Sequence, residues 1–565
     1  MKSRNGLRSS ANSRTLSKSV TPSAETERLA LRGETFVVAW SSLLVSLFAL
    51  AFCFSRNLLL LSGDAVAHIN IARRIVDSSN PGLRQLGSVW LPLPHLLIVP
   101  FVLRMSWWQT GLAGAFPSIG AYVFGSAGIY RLARIWLKPQ PALIALLFFA
   151  LNPGLLYAQT TALNEPLCLA EMIWAVVFLV EYLRALDGKD VDRAGKQLIY
   201  CGLVLVCAVF TRYDGWIFAT FAWMMALVPM LRERSLWKTR VGGAFVLFTV
   251  MLAVAPLLWM GYCWRQFGDP LDFLRGPYSA RAIEIRTSTP GSPHYPGWHS
   301  MGVATLYFLK AAELGAIWKH LTDLIFMLAI VGSVIAGVRF KSRHILPALL
   351  LWVPLPFYAY SVAYGSVPIF IPLWWPHSFY NTRYGMEMLP VFALALGFLA
   401  GWVAQQAARR KAELQSWTTV AVGVLIVANS YMLVRAVPLV LQEMIANSRS
   451  RIPFEAAYAR GLETLQPGST ILAYLSDHPG AYERAGVALK RTINESDYYR
   501  WRPALKDPAK AADYVITTDG DPVAKAVKAH PAGLTLMDIV CSTDQPCVRF
   551  YRSDLRAPGD SITHR

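Results

Sequence analysis

Charged residues are scarce in this chain of 565 residues: they form 16% of the sequence, against about a quarter in ordinary soluble proteins. Hydrophobic residues form 54%, a content that excludes a disordered or collagen-like chain. Cysteine is also rare, and seven residues in so long a chain exclude a small scaffold built on disulfides. The composition therefore favours a protein with an unusually large apolar surface.

Several familiar catalytic patterns are missing as well. No cluster of His, Cys and carboxylate residues has the spacing of a zinc site, and no glycine-rich loop could cradle a phosphate. A nucleophile elbow around a serine is also absent. We therefore predict no cofactor, and no motif supports a divalent metal.

Long apolar runs are what the sequence has instead. The first begins near Phe36 and is too long for the core of a signal peptide, so it predicts a membrane helix. It follows residues 1–34, which lack apolar periodicity and predict a disordered basic cytoplasmic tail. With this first helix, we predict about eleven transmembrane helices; the other ten apolar stretches are 112–131, 141–158, 167–184, 198–211, 217–231, 241–262, 318–338, 344–362, 384–403 and 417–436.

The net charge of +19 could indicate nucleic acid, an anionic surface or the positive cytoplasmic loops of a membrane protein. Basic clusters fall in alternate loops, which predicts the positive cytoplasmic loops of a membrane protein and no nucleic-acid partner. Residues 35–438 then form the membrane domain, with outer loops at 55–111 and 263–317. The short, proline-containing stretch 91–105 is predicted to be re-entrant or interfacial. The clusters are Arg131/Arg134/Lys138, 184–196, Arg232/Arg234/Lys238/Arg240, Arg339/Lys341/Arg343 and Arg409/Arg410/Lys411.

Residues 439–565 differ in character, because acidic and basic residues there are nearly balanced. Short alternating segments between helix-like stretches predict a small soluble α/β domain on the outer face. Cys541 and Cys547 in this domain are compatible with a local disulfide or with two unpaired thiols. We predict a multi-pass protein of a bacterial inner membrane, with a cytoplasmic N-terminus and a periplasmic C-terminal domain.

Ionisable residues at the outer ends of membrane helices are the candidate functional groups, since such residues are costly at membrane depth. Asp64 follows the first helix and could be either a helix cap or a general base at the membrane surface. His68 lies one turn later and could share that face or be only a satisfied polar residue. The candidate substrate-binding residues are His68, His95 and Asp214. Asn164 and Glu165 occupy a short turn before a helix, where a capping role is the alternative to catalysis.

Arg212 and Asp214 form a third candidate, between two apolar helices at the same face. They could simply pair with each other, or Arg212 could face a phosphate while Asp214 orients it. Arg383 begins a membrane helix at its outer end, where a guanidinium can bind a lipid phosphate through two hydrogen bonds.

The arrangement resembles the GT-C glycosyltransferases, in the branch of protein O-mannosyltransferases and lipid A aminoarabinose transferases. The resemblance covers roughly residues 36–400. It rests on a membrane helix followed by an outer loop with an acid, and then on WLPLPHLL, LNPGLLYAQTTALNEPL and RYGMEMLP. It implies a polyprenyl-phosphate sugar as donor and inversion at the anomeric carbon. By position, Asp64 matches the catalytic base, Glu165 the second acid, and Arg383 with Tyr384 the pair near the donor phosphate.

Two departures from the family pattern affect the acceptor. Asp64 is followed by Ala65 where the mannosyltransferases have a second acid, and His95 replaces the usual Leu, Tyr or Lys. The expected function is a membrane glycosyltransferase that uses Asp64 as base on a lipid, glycan or protein acceptor, in contact with membrane lipids. The alternatives are a lipid-linked glycan ligase or polymerase, and a transporter or flippase of lipid-linked sugars.

Overall fold

The computed structural model describes residues 24–288, 291–340, 343–476 and 478–556. Within them, ten helical segments are long and apolar enough to cross a membrane: Leu29–Ser55, Leu112–Arg134, Glu165–Asp187, Val191–Thr211, Asp214–Arg232, Arg240–Phe267, Thr322–Arg339, His344–Tyr364, Thr382–Ala408 and Leu414–Ser448. They correspond to ten of the eleven predicted stretches. The predicted fold class, a polytopic helical membrane protein with a small C-terminal α/β domain, is confirmed.

The helices of the membrane part are α1 to α18, and α2, α3 and α4 lie in the first outer loop. They are α1 (Ala24–Ser55), α2 (Gly63–Val76), α3 (Pro92–Val102), α4 (Met105–Thr110), α5 (Leu112–Arg134), α6 (Pro139–Ala150), α7 (Pro153–Ala158), α8 (Glu165–Asp187), α9 (Val191–Thr211), α10 (Asp214–Arg232), α11 (Arg240–Phe267), α12 (Asp272–Arg275), α13 (Ala280–Thr287), α14 (Met301–Ala316), α15 (Thr322–Arg339), α16 (Pro354–Tyr364), α17 (Leu389–Ala408) and α18 (Leu414–Arg435). Short 3₁₀ helices cover Leu83–Leu86, Arg234–Lys238, Arg343–Trp352 and Thr382–Met388.

The stretch 141–158 is not one long helix, as the apolar pattern suggested, but the two short helices α6 and α7. The break has a local cause. The Asn152 side chain accepts a hydrogen bond from the backbone N–H of Leu155 and so caps α7, and Pro153 has no N–H with which to continue α6.

Two other predicted boundaries differ from the structure. Helix α1 begins at Ala24, so residues 24–34 are helical rather than part of a tail, and residues 1–23 lie outside the described residues. Helix α3 has eleven residues, or about 16 Å at 1.5 Å per residue, which is too short for a span of about 30 Å. The short α3 agrees with the predicted re-entrant or interfacial segment.

The C-terminal domain contains a five-stranded mixed sheet and six helices. In the strand order β2-β1-β3-β5-β4, β1 pairs in parallel with β2 and β3, and β5 pairs antiparallel with β3 and β4. Cys541 and Cys547 are joined by a disulfide across the end of the β4–β5 hairpin. The elements are α19 (Leu439–Ser448), α20 (Arg451–Glu463), β1 (Ile471–Leu472), α21 (Pro479–Ala485), a 3₁₀ turn (Leu489–Arg491), β2 (Thr492–Ile493), α22 (Trp501–Lys506), α23 (Pro508–Ala511), β3 (Tyr514–Thr518), α24 (Pro522–Ala529), β4 (Leu534–Ser542) and β5 (Gln545–Ser553).

Helix α8 is the most enclosed of the ten long segments, with 89% of its apolar window buried, and Thr382–Ala408 follows with 78%. Each of these two segments begins with an ionisable candidate, Glu165 on α8 and Arg383 on the 3₁₀ turn that leads into α17. The C-terminal domain packs against the first outer loop, where Ile69 of α2 shares an apolar core with Tyr458 and Tyr482. The fold thus brings the first outer loop, two central helices and the C-terminal domain together.

Candidate active site

The Arg383 guanidinium lies at the centre of the candidate site. Its side chain is 8% exposed, and each of its three nitrogens faces a different carboxylate. Nη2 donates to Asp64, Nε donates to Glu165 Oε1 at 3.1 Å, and Nη1 lies 3.5 Å from Glu443 Oε1. The structure therefore brings the predicted residues Asp64, Glu165 and Arg383 into direct contact.

Asp64 lies in the first turn of α2 but does not cap it. The cap is Ser62, whose hydroxyl accepts a hydrogen bond from the backbone N–H of Ala65 at 3.3 Å. The capping alternative for Asp64 is therefore wrong, and its carboxylate is left to pair with Arg383. The Asp64 side chain is 41% exposed, which makes it the accessible acid of the three around Arg383.

Glu165 is the first residue of α8 and is only 1% exposed. Its Oε1 accepts hydrogen bonds from Arg383 Nε at 3.1 Å and from Arg212 Nη1 at 3.2 Å. Glu165 Oε2 has no hydrogen-bond partner among the described residues. Glu165 thus connects the two arginines and does not reach open solvent.

Arg212 lies behind Arg383 and forms a second layer of charge pairs. Its Nε lies 3.1 Å from Asp214 Oδ2 and 3.2 Å from Glu387 Oε1. The Tyr358 hydroxyl accepts from Arg212 Nη2 at 2.6 Å and lies 2.8 Å and 2.6 Å from the same two carboxylates. The predicted Arg212–Asp214 pair is present, within a larger network.

The ring of Tyr384 lies close to both arginines. The Cζ atoms of Arg383 and Arg212 are 4.9 Å and 5.0 Å from the centroid of its ring, within the range of cation–π attraction. One aromatic ring thus contacts both guanidiniums.

His68 and His95 form a buried pair rather than part of the cavity wall. His68 Nδ1 and His95 Nε2 are 2.8 Å apart, and the two side chains are 3% and 0% exposed. Burial, together with the guanidiniums of Arg383 and Arg212, lowers the pKa of His68 to about 3. Burial also lowers the pKa of His95 well below its usual value, so both rings are neutral at physiological pH.

A cavity of about 980 Å³ opens in front of this network. Asp64, Arg383 and Tyr384 form one part of its wall, and the rest includes aromatic side chains such as Trp90 and Tyr295 together with aliphatic and polar residues. A volume of this size is typical of a small-molecule site. Trp90 also packs on His68 at 4.5 Å between ring centroids, which places the histidine pair one layer behind the cavity.

In the described residues, one buried group has side chains that could bind a metal ion: Cys168, Asp214 and Glu387. Their potential ligand atoms lie within 4.8 Å of one another. Arg212 Nε lies within 3.2 Å of both carboxylates and already supplies the positive charge that a cation would bring. The set also lacks a histidine and includes a thiol that lies 3.6 Å from Asp214 Oδ1. These residues therefore fit a charge-pair network better than a metal site.

Three residues of the network were not among the sequence candidates: Glu387, Tyr358 and Glu443. Glu387 had a usable signal, because it is an acid four residues after Arg383 within an apolar segment. Tyr358 is an ordinary aromatic residue of a membrane helix, and Glu443 comes from the C-terminal domain. Only the fold brings these last two to the site.

Comparisons with known proteins show which sequences and structures this chain is similar to. Residues 95–260 match the family described as dolichyl-phosphate-mannose-protein mannosyltransferase. An undecaprenyl phosphate-alpha-4-amino-4-deoxy-L-arabinose arabinosyl transferase 2 of Proteus mirabilis (strain HI4320) is 20% identical over 381 residues, covering 64% of this chain and 62% of that protein. The corresponding transferase of Serratia proteamaculans (strain 568) is 23% identical over 354 residues, covering 59% and 56%. The chain thus spans about three fifths of the length of the curated relatives it matches.

The crystal structure of ArnT from Cupriavidus metallidurans bound to undecaprenyl phosphate has a TM-score of 0.55 to this protein at 13% identity. The alignment covers 93% of this chain and 98% of that one. The fold is therefore similar to that of ArnT. Together with the family match over residues 95–260 and the two transferase relatives, this likeness confirms the resemblance to the aminoarabinose transferase and protein mannosyltransferase branch.

Proposed function

We propose that this protein is an integral-membrane glycosyltransferase that moves a sugar from a polyprenyl-phosphate donor to an acceptor on the outer face of the membrane. One observation carries the proposal: an accessible carboxylate, Asp64, is paired with a buried guanidinium, Arg383, at the wall of a large cavity. Transfer from a lipid phosphate needs these two groups, a base for the acceptor hydroxyl and a cation for the leaving phosphate.

The reaction is a single displacement. The Asp64 carboxylate takes the proton of an acceptor hydroxyl, and the acceptor oxygen forms a bond to the anomeric carbon. The bond from that carbon to the phosphate oxygen breaks at the same time, and polyprenyl phosphate leaves as an anion. The configuration at the anomeric carbon is thereby inverted. A lipid phosphate leaves at neutral pH without being protonated, so a second acid is not required.

Arg383 binds the phosphate in this proposal, and its present partners explain how. Glu165 and Glu443 occupy Nε and Nη1 from the buried side, whereas Asp64 occupies Nη2 from the exposed side. A donor phosphate entering from the cavity competes with Asp64 for Nη2. Its binding therefore releases the Asp64 carboxylate toward the acceptor.

The buried groups hold the two arginines in place. Glu165 connects Arg383 to Arg212, and the ring of Tyr384 packs against both guanidiniums. Because Glu165 does not face the cavity, we assign it a positioning role and assign catalysis to Asp64. His68 and His95 support the cavity wall through Trp90.

The donor and the location follow from the same proposal. The names of the relatives support undecaprenyl phosphate as the lipid carrier and an aminopentose as the first sugar to test. The acceptor is a lipid, glycan or protein at the membrane surface. Positive loops support a cytoplasmic N-terminus, and the Cys541–Cys547 disulfide supports a periplasmic C-terminal domain of an inner-membrane protein.

The test is sugar transfer by purified protein in nanodiscs. Radiolabelled undecaprenyl-phosphate aminopentose or hexose is incubated with bacterial membrane extract, and label is measured in the lipid, glycan and protein fractions. Transfer of one sugar unit that depends on Asp64 supports the proposal. Elongated products would indicate a ligase or polymerase, and transbilayer movement without transfer would indicate a flippase.

A further inference from the structure

Glu443 is a buried acid of the C-terminal domain that reaches the candidate active site. It lies on α19, which follows α18 within the last long apolar segment, Leu414–Ser448, and is 1% exposed. A carboxylate so deeply buried is costly unless it is paired and fully hydrogen-bonded. Its partners therefore indicate why it is there.

The Glu443 carboxylate accepts three hydrogen bonds from one short segment. Oε1 accepts from the backbone N–H of Asn381 at 2.8 Å, and Oε2 accepts from the backbone N–H of Thr382 at 2.8 Å and from its hydroxyl at 2.5 Å. Asn381 has a φ of +54°, in the left-handed region. This turn of the backbone aims two successive N–H groups at a single carboxylate.

The next residue in the chain is Arg383. Glu443 thus fixes the start of the 3₁₀ turn that carries Arg383 and Tyr384, and its Oε1 is also 3.5 Å from Arg383 Nη1. Glu443 acts on Arg383 in two ways, through the backbone before it and through the guanidinium itself. Glu443 itself is buried and is not among the residues that line the cavity.

We propose that Glu443 is a positioning residue for the donor phosphate: it holds Arg383 in the orientation in which the exposed edge of its guanidinium receives the phosphate. The inference rests on the proposed function and gives the C-terminal domain a part in donor binding. Misplacing a binding group by about 1 Å can cost on the order of 10²-fold in activity. A loss of the Glu443 contacts should therefore appear as weaker phosphate binding.

The experiment compares E443Q with wild type for binding of undecaprenyl phosphate, without sugar, by microscale thermophoresis in detergent. Glutamine has the same size but replaces one acceptor oxygen by a donor, which would face the N–H groups of Asn381 or Thr382. We expect the Kd to rise by about tenfold to a hundredfold. In transfer assays, the KM for the donor should rise more than kcat falls, and the KM for the acceptor should not change.

The matched control is D513N. Asp513 is a buried acid of the same domain that accepts a hydrogen bond from the backbone N–H of Thr470 at 2.7 Å and pairs with Arg556, away from the site. It should lower the melting temperature and leave the Kd unchanged. If E443Q fails to fold, T382V removes only the hydroxyl contact and should raise the Kd by a few-fold.

Each outcome decides the inference. If E443Q or T382V folds and binds undecaprenyl phosphate like wild type, while R383Q binds it weakly, Glu443 is not a positioning residue and the proposed function stands. If E443Q weakens phosphate binding but wild type transfers no sugar, the inference stands at the level of binding and the proposed function fails. If R383Q also binds normally, Arg383 does not hold the phosphate and the inference is overturned.

Discussion

Replacing Asp64 with asparagine tests the proposed mechanism most directly. Asparagine keeps the size of the side chain and one oxygen that can accept a hydrogen bond from Arg383, but it cannot take a proton from an acceptor hydroxyl. The loss expected for a general base is about 10²- to 10⁴-fold. At about 1.4 kcal/mol for each factor of ten, this is roughly 3 to 5 kcal/mol of transition-state stabilisation.

The expected effect of this change on folding is much smaller. The Asp64 side chain is 41% exposed, and ion pairs with that access to solvent contribute about 0 to 1 kcal/mol to stability. Arg383 also keeps its two buried carboxylates, Glu165 and Glu443, after the substitution. The melting temperature should therefore change by a few degrees at most, while activity falls by orders of magnitude.

The assay is sugar transfer in nanodiscs with the donor that the wild type uses, together with a thermal melt of each variant. Asp77→Asn is the matched control, because Asp77 follows the other end of α2 and pairs with Arg73 in a buried position. It should lower the melting temperature more than Asp64→Asn does and leave kcat within a few-fold. Transfer at the wild-type rate by well-folded Asp64→Asn protein would refute the assignment of the base.

Three further changes test the surrounding network. Glu165→Gln should lower the free energy of unfolding by about 1 to 3 kcal/mol, because it removes a charge that bonds two arginines. Its loss of activity should be at least tenfold smaller than that of Asp64→Asn, and an equal loss without a change in melting temperature would make Glu165 a second catalytic group. Because the pKa of His68 is lowered from 6.5 to about 3, the unfolded protein binds more protons between these pH values, and the stability of the fold should decrease as the pH drops below 6.5. His68→Gln should therefore reduce the fall in melting temperature between pH 7 and pH 5, and an unchanged slope would contradict the buried neutral ring. Arg451→Lys keeps a cation beside Glu455 but loses the two hydrogen bonds to the carbonyls of Leu60 and Leu61. These carbonyls come just before Asp64, so kcat should fall with little change in melting temperature, and a normal kcat would show that this contact does not position the Asp64 turn.

The membrane part of the fold was largely predictable from the sequence, because apolar length alone distinguishes a membrane helix. The exception, 141–158, shows the limit of that signal. Its apolar content fits one helix, but the cap formed by Asn152 and the missing N–H of Pro153 divide it in two. A hydropathy pattern averages over such residues, whereas the backbone responds to each of them.

The residues of the candidate site were predictable only where an ionisable side chain lies at the end of an apolar segment. Asp64, Glu165 and Arg383 each stand at the outer end of an apolar segment, and the structure brings them together. Glu443 is separated from its partner Thr382 by two membrane helices, α17 and α18, so no local pattern connects the two. The sequence also left a capping role open for Asp64, and the structure excludes it because Ser62 caps the helix instead.

Exposure separates the roles of the acids around Arg383 where residue type does not. Asp64, Glu165 and Glu443 all pair with the same guanidinium, but their side chains are 41%, 1% and 2% exposed. A general base must meet the acceptor and pass its proton on to solvent, and a buried carboxylate can do neither. A positioning group has the opposite requirement, because burial strengthens its electrostatic hold on the arginine. In the proposed mechanism, Asp64 is therefore the acid that exchanges partners during the reaction, and Glu165 and Glu443 keep the arginine in place while it does so.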